Sequence, residues 1–176
     1  MNHLGEDVTI IDANLTTPNI GIHLGAPIVP ITLNHVLDGQ AQVEDAIYEH
    51  DSGTKIIPAS LSLKETEKIE YKKLGEVVKK LKKITNFILI DSAAGLGEEA
   101  KASLNAADEI ILVTNPEMPA VTDALKTIKL AEEMNKPVLG VIITRYRGAR
   151  TEMSISNIKD MLEVPILGII PEEEAI

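Results

Sequence analysis

The sequence has no cysteine and no tryptophan, and a single phenylalanine among its 176 residues. Without cysteine there is neither a disulfide framework nor a thiolate metal site, an absence that fits a cytoplasmic protein. With only three tyrosines besides that phenylalanine, the core must rest on Ile, Leu, Val and Ala. Positive charge is also short. Seventeen Lys and Arg stand against 27 Asp and Glu, for a net charge of −10. That balance argues against autonomous nucleic-acid binding, which needs a positive surface to displace phosphate counterions. It also disfavours adhesion to an anionic membrane. No apolar stretch approaches the roughly 18 residues of a membrane span. The opening residues, Met1 to Asp7, hold no apolar signal-peptide region. None of the 11 glycines is followed by lysine, so the phosphate-loop motif G-x-x-x-x-G-K-[ST] does not occur.

What is present is an ordinary globular composition, 44% apolar and 25% charged, in a length that suits one domain and buries a real core. No repeat, low-complexity tract or interdomain linker interrupts residues 1–176, which read as a single domain. Apolar runs recur at Val8–Ile11, Lys55–Pro58, Phe87–Ile90, Ile110–Val113, Val138–Thr144 and Ile166–Ile170. They lack polar alternation, as strands buried on both faces of a parallel sheet do. Helical patterns lie between them. Ile69, Leu74, Val77, Val78, Leu81 and Ile84 share one face, and the lysines at 72, 73, 79, 80, 82 and 83 cover much of the rest. This lysine run reads as a solvated helix face rather than a nucleic-acid patch.

A second helix begins at Pro119, which suits a first helical turn. A third begins at about Ser154. Asn135-Lys-Pro137 and Glu163-Val-Pro165 each stop a helix before a strand. The alternation predicts an α/β fold, a doubly wound, mostly parallel sheet with helices on both faces.

In such sheets ligands bind beyond the carboxyl ends of strands. Three ends here carry polar residues: Asp12-Ala-Asn14 with Thr16, Thr17 and Pro18; Asp91 before the turn Ser92 to Gly97; and Thr144-Arg145-Tyr146. A strand-end carboxylate beside phosphates can hold Mg²⁺ through water. Asp12 and Asp91 equally suit plain helix caps or turn formers, and both readings stay open. Gly95-x-Gly97 has no third glycine to complete a dinucleotide fingerprint. The histidines at 3, 23, 35 and 50 lack metal-like spacing and read as surface or structural.

Taken in order, Val8 to Gly25, Ile31 to Gly39, Ile57-Pro-Ala-Ser60, Ile88 to Leu96, Val113-Thr-Asn-Pro-Glu117, Val121-Thr-Asp-Ala124, Val141-Ile-Ile-Thr-Arg145 and Leu167 to Glu172 resemble the MinD/ParA family of P-loop ATPases. The likeness is nearest to the archaeal MinD-like branch and covers essentially the whole chain. It implies an ATP-dependent dimerising switch, with ATP and Mg²⁺ as cofactors, that positions cell-division or cargo machinery. By this resemblance Asp12 and Asp91 hold Mg²⁺ through water, and Asn14 takes the water-orienting position usually held by Asp. Gly95 lies in the second switch turn. Thr144, Arg145, Pro171 and Glu172 enclose the adenine base.

Three departures from the family pattern carry expectations. The opening strand, lysine loop and helix of the family have no counterpart, so the chain alone is expected to be impaired in ATP binding and hydrolysis. Without that strand, two neighbours are expected to lose ladder partners and leave the isolated chain unstable or prone to aggregate. Asn14 orients water but does not take up a proton as a carboxylate does, which slows hydrolysis. The chain stops at Glu172 to Ile176, so the amphipathic membrane-targeting helix of some members is not expected, nor the membrane association it brings. The alternative function is a non-enzymatic interaction module that pairs with a full-length paralogue. A third is a different nucleotide or cofactor binder using the Gly95/Gly97 turn at a helix N-terminus.

Overall fold

A computed structural model describes residues 5–25, 28–62, 65 and 69–173. His3 lies outside the described residues. The chain forms two compact units, Met1–Ala107 and Asp108–Ile176, each with its own sheet and core.

In the first unit the strand order is β2-β3-β1-β4, with β1 at Val8–Ala13, β2 at Tyr48–Glu49, β3 at Lys55–Ile57 and β4 at Phe87–Ser92. The β1–β3 and β1–β4 pairs are parallel, while β2 pairs β3 antiparallel. The central strand β1 is buried almost throughout, polar Thr9 and Asp12 included. Helices α1 (Ile20–His23), α2 (Leu33–Leu37), α3 (Leu74–Leu81) and α4 (Glu98–Ala106) complete the unit. Helix α3 buries Leu74, Val77, Val78 and Leu81 in one cluster with Ile11, Ala13, Leu33, Leu37 and Ile57. Lys79, Lys80, Lys82 and Lys83 are exposed, as a solvated face requires. The helix is shorter than its apolar pattern predicts. Tyr71–Lys73 form a 3₁₀ turn before it, and Ile84 lies beyond its end, 40% exposed. The Thr85 hydroxyl donates to the Asp7 carbonyl at 3.0 Å, which ties the chain to the start of β1 instead of extending the helix.

The second unit is a parallel sheet in the order β5-β6-β7, with β5 at Ile110–Thr114, β6 at Val138–Tyr146 and β7 at Ile166–Pro171. Helix α5 (Met118–Glu133) has Pro119 in its first turn. Helix α6 (Ile155–Leu162) is capped by the Ser154 hydroxyl, which accepts from the Asn157 amide at 3.1 Å. Val121, Ala124, Ile128, Val141, Ile143, Ile158 and Leu162 form the core. Asn135 and Glu163 take left-handed backbone angles two residues before Pro137 and Pro165. Both predicted helix stops therefore end in a left-handed turn. At Gly140 a Cβ would lie 2.3 Å from the Pro165 carbonyl oxygen, so only glycine admits this approach of β6 to the chain entering β7.

The α/β class and the parallel strands match the sequence pattern. Burial on both faces does not hold for every strand. Phe87 and Leu89 on β4 and Ile111 and Val113 on β5 are 40–65% exposed. Their neighbours Ile88 and Ile90, and Leu112, pack on the two cores. Among the described residues β4 pairs only with β1, and β5 only with β6. An apolar run fixes how much surface a strand can bury, but a covering layer decides whether both faces are buried.

Candidate functional site

In the parallel ladder of the first unit Asp12 stands opposite Asp91, and Ala13 opposite Ser92. Two carboxylates therefore sit side by side at the carboxyl ends of β1 and β4. They are held differently. Asp12 is fully buried. Its Oδ2 accepts from the amides of Asn19 at 3.1 Å and Ile20 at 3.0 Å, and its Oδ1 from the Asn14 amide at 3.3 Å. It thus caps the start of α1 as well as ending a strand. Burial pushes the Asp12 carboxyl above its ordinary value of 3.8. The neighbouring Asp91 charge raises it further, while the three amides pull the other way.

Asp91 is more open to solvent. Partial desolvation still raises its pKa, and His23 opposes the rise. No described residue hydrogen-bonds its carboxylate.

Around this pair the loop after β1 folds on itself. Asn14 Oδ1 accepts from the Thr17 amide at 3.3 Å and from the Thr17 hydroxyl at 3.0 Å, so its carboxamide is turned toward its own loop. Asn and Thr side chains that bond nearby backbone make this turn. The loop after β4 bends at Gly95, where φ is +87° and no atom lies within 4 Å of an added Cβ. Glycine is needed there for backbone angle, not for space. Gly97 then caps α4. From the first turn of α4, Glu99 accepts the Thr16 amide at Oε1 and the Thr16 hydroxyl at Oε2, both at 3.0 Å.

In the second unit Thr144, Arg145, Pro171 and Glu172 gather at the carboxyl ends of β6 and β7. Tyr146 pairs with Pro171, and the Glu172 amide donates to the Tyr146 carbonyl at 3.1 Å. The Thr144 hydroxyl donates to the Thr114 carbonyl at 3.3 Å. Arg145 takes φ +56°, a costly angle for a non-glycine residue and one that accumulates at functional sites. Glu172 Oε1 lies 3.6 Å from the Arg147 guanidinium, and its Oε2 is buried without a hydrogen-bond partner. The loop after β6 is stapled by Glu152, which accepts from the amides of Arg147, Gly148 and Ala149 at 2.9–3.2 Å.

Sequence reasoning passed over Glu99, Arg147 and Glu152, and read His23 only as surface or structural, whereas it faces Asp91 electrostatically. The acidic pair Glu98-Glu99 just after Gly97 is a helix-start signal, but nothing in the linear order points from Glu99 to Thr16, 83 residues away. No group of three or more His, Cys, Asp or Glu able to hold a metal occurs among the described residues. The Asp12–Asp91 pair still suits a hydrated cation, because positive charge relieves buried Asp12 of the neighbouring Asp91 charge and meets Asp91 where it is open to solvent.

A family model described as an AAA domain matches residues 40–176. An ATP-binding protein of Methanocaldococcus jannaschii is 36% identical over 96% of this chain, which spans 64% of that protein's length. The septum site-determining protein MinD of Pyrococcus horikoshii, complexed with Mg-ADP, is 36% identical with a TM-score of 0.93. That match covers 99% of this chain and 72% of the other. The MinC:MinD cell division complex of Aquifex aeolicus matches at 30% identity and a TM-score of 0.84, over 98% of this chain and 72% of the other. Agreement of fold and sequence over almost the whole chain, on top of the strand-end carboxylates, shows that the chain belongs to the MinD/ParA family of P-loop ATPases.

Proposed function

We propose that this chain carries the cation side and the adenine side of a MinD-like, ATP-dependent dimerising switch that places cell-division or cargo machinery in the cytoplasm. The observation that carries this reading is the register pairing of Asp12 with Asp91 at two strand ends, both with raised pKa. When present, Mg²⁺ would supply positive charge for developing phosphate charge. Asp91, open and without a hydrogen-bond partner among the described residues, is the group to hold its water shell. Asp12 contributes charge from behind while organising the loop. Asn14 would orient the attacking water once it leaves Thr17, and as an amide it takes up no proton. Thr144, Arg145, Pro171 and Glu172 would hold the base. The Mg-ADP of the Pyrococcus relative supports this choice of ligand. Residues 1–176 would act as one nucleotide-binding domain.

The residues present fit the cation and not the phosphates, since this sequence contains no lysine phosphate loop. The 176-residue chain by itself would therefore bind ATP poorly and hydrolyse it slowly or not at all. Calorimetry of Mg-ATP with the chain tests this. Absence of binding, restored when a lysine phosphate loop with its strand and helix is joined ahead of β1, is the expected result. Micromolar binding by the chain alone would overturn it.

One observation favours a second, non-enzymatic reading. The apolar edge strands β4 and β5 each have one described ladder partner, and such edges accept an added strand. On this reading the chain pairs with a full-length paralogue. Co-purification with that paralogue in the absence of ATP is its test. A partner comparable to the MinC of the Aquifex complex belongs to the first reading, and a homodimer to either. Neither reading calls for a membrane, and no helix among the described residues is long and apolar enough to cross one.

A further inference from the structure

The clasp between Glu99 and Thr16 is used by neither reading. It joins the loop after β1 to the first turn of α4, across 83 residues of sequence. An acidic residue in a first helical turn needs no partner, because the helix dipole already favours it there. Its neighbour Glu98 fills that role without one of the hydrogen bonds described. Glu99 differs in that each carboxylate oxygen takes a separate donor of the same residue, one from the backbone and one from the side chain. Two charge-assisted bonds in a fixed fork position the loop as well as hold it.

The two segments so joined carry the candidate groups. One side holds Asp12 and Asn14, the other Asp91 and Gly95. The β1 loop is internally bonded through Asp12 and Asn14, so it moves largely as a unit. The β4 loop is joined to α4 directly through Gly97. Gly95, at φ +87° and with open space where a side chain would stand, supplies the bend between β4 and α4. We infer that Glu99 is a positioning residue that couples the two strand-end loops, so that a displacement of α4's first turn is carried through Thr16 to Asn14. In the arrangement seen, the clasp holds Asn14 against Thr17. Release of Thr16 frees the segment that keeps the carboxamide turned inward. This inference goes beyond the nucleotide reading and needs no nucleotide for its test.

Coupling is reciprocal, and that gives the experiment. Amide hydrogen exchange is measured on the full 176-residue chain and on four variants. Glu99→Ala is expected to raise exchange at Thr16 and Thr17 about tenfold, the scale of a lost bond to a charged acceptor. Glu99→Gln, which keeps one acceptor for the Thr16 amide and offers the Thr16 hydroxyl oxygen a donor in place of the second acceptor, restores most of the protection. Thr16→Val is expected to raise exchange at Lys101, whose amide makes the first bond of α4 to Gly97. Thr16→Ser leaves it unchanged. Ile57 in β3 reports the core and stays protected in all four, which separates release of the clasp from general unfolding. If Thr16 exchanges equally in Glu99→Ala and the parent chain, the clasp does not hold the loop. If Thr16→Val leaves Lys101 protected, the contact is a local cap and not a coupling. Either result overturns the inference.

Discussion

The two units follow the same strand–loop–helix grammar but use their strand-end carboxylates in opposite ways. In the first unit Asp12 and Asp91 stand opposite each other, and the structure leaves their repulsion in place. In the second, Glu152 is spent on the backbone amides of its own loop, and Glu172 approaches Arg147. Carboxylate faces carboxylate in one, and in the other carboxylates meet donors, although Glu172 Oε2 stays buried without a hydrogen-bond partner. Retained electrostatic stress at a strand end is what a binding site shows and a structural staple does not. That contrast is why the proposed cation chemistry falls on the first unit.

The largest expected effect tests whether the two cores are independent. Leu81→Ala removes a fully buried side chain of the first core, at a cost of about 2–5 kcal/mol. Hydrogen exchange is expected to rise at β1 and β3 while Val141 and Ile143 keep their protection. Uniform loss in both units would dissolve the comparison. Gly140→Ala is the counterpart in the second unit. Its Cβ meets a backbone oxygen, which cannot rotate aside as a side chain can, so a loss of about 2–3 kcal/mol is expected. Loss confined to β6, β7 and their helices is the supporting result.

Asp12→Asn places an amide NH₂ among three backbone donors, and at least one loses its acceptor. Denaturant melts are expected to show a loss of about 1–3 kcal/mol. A neutral result would mean that the loop rests on Asn14 and Glu99 alone. Glu152→Ala strips the staple from an exposed loop and is expected to cost about 1 kcal/mol, with exchange rising only at residues 147–149.

The smallest effect carries the sign of the comparison. Both aspartates have folded pKa values above the ordinary 3.8, so the folded chain binds more protons than the unfolded chain between 3.8 and those raised values. Their contribution is unfavourable at neutral pH and fades as pH falls through the raised values toward 3.8. Asp91→Asn is therefore expected to stabilise at pH 7, by less than about 1 kcal/mol since Asp91 is exposed and screened. The gain should shrink as pH falls and vanish well below pH 3.8, where the carboxyl is protonated in both states. A gain that persists undiminished well below pH 3.8, or a loss at pH 7, would remove the claim of stress.

Much of this was legible in the sequence. The β-branched runs Val8–Ile11 and Val141–Thr144 point to strands because such side chains fit a pleated, buried surface. Pro119, Ser154, Asn135 and Glu163 marked helix ends through backbone chemistry that acts within a few residues. The short helices α1 and α2 escaped notice, and α4 was anticipated only as a helix start at the Gly95/Gly97 turn. Their apolar positions are too few to show a period, and α1 rests on the Asp12 carboxylate rather than on a pattern of its own. Asp12 and Asp91 stood out one by one, each with a bland reading as a cap, and for Asp12 the cap is real. Their adjacency was not legible, because it depends on the register of two strands some 80 residues apart.

The sequence by itself thus determined the local preferences: which runs extend, which of the longer ones coil, where α5 and α6 stop, and, through the ordered run of motifs, the family. Only the tertiary structure decided which strand faces are covered, that two acidic strand ends share one level of a ladder, and that Glu99 meets Thr16. The physical reason is range. Backbone angles, caps and turns are settled among neighbours along the chain. Desolvation, charge repulsion and a clasp between loops depend on which distant residues the fold brings within a few ångströms.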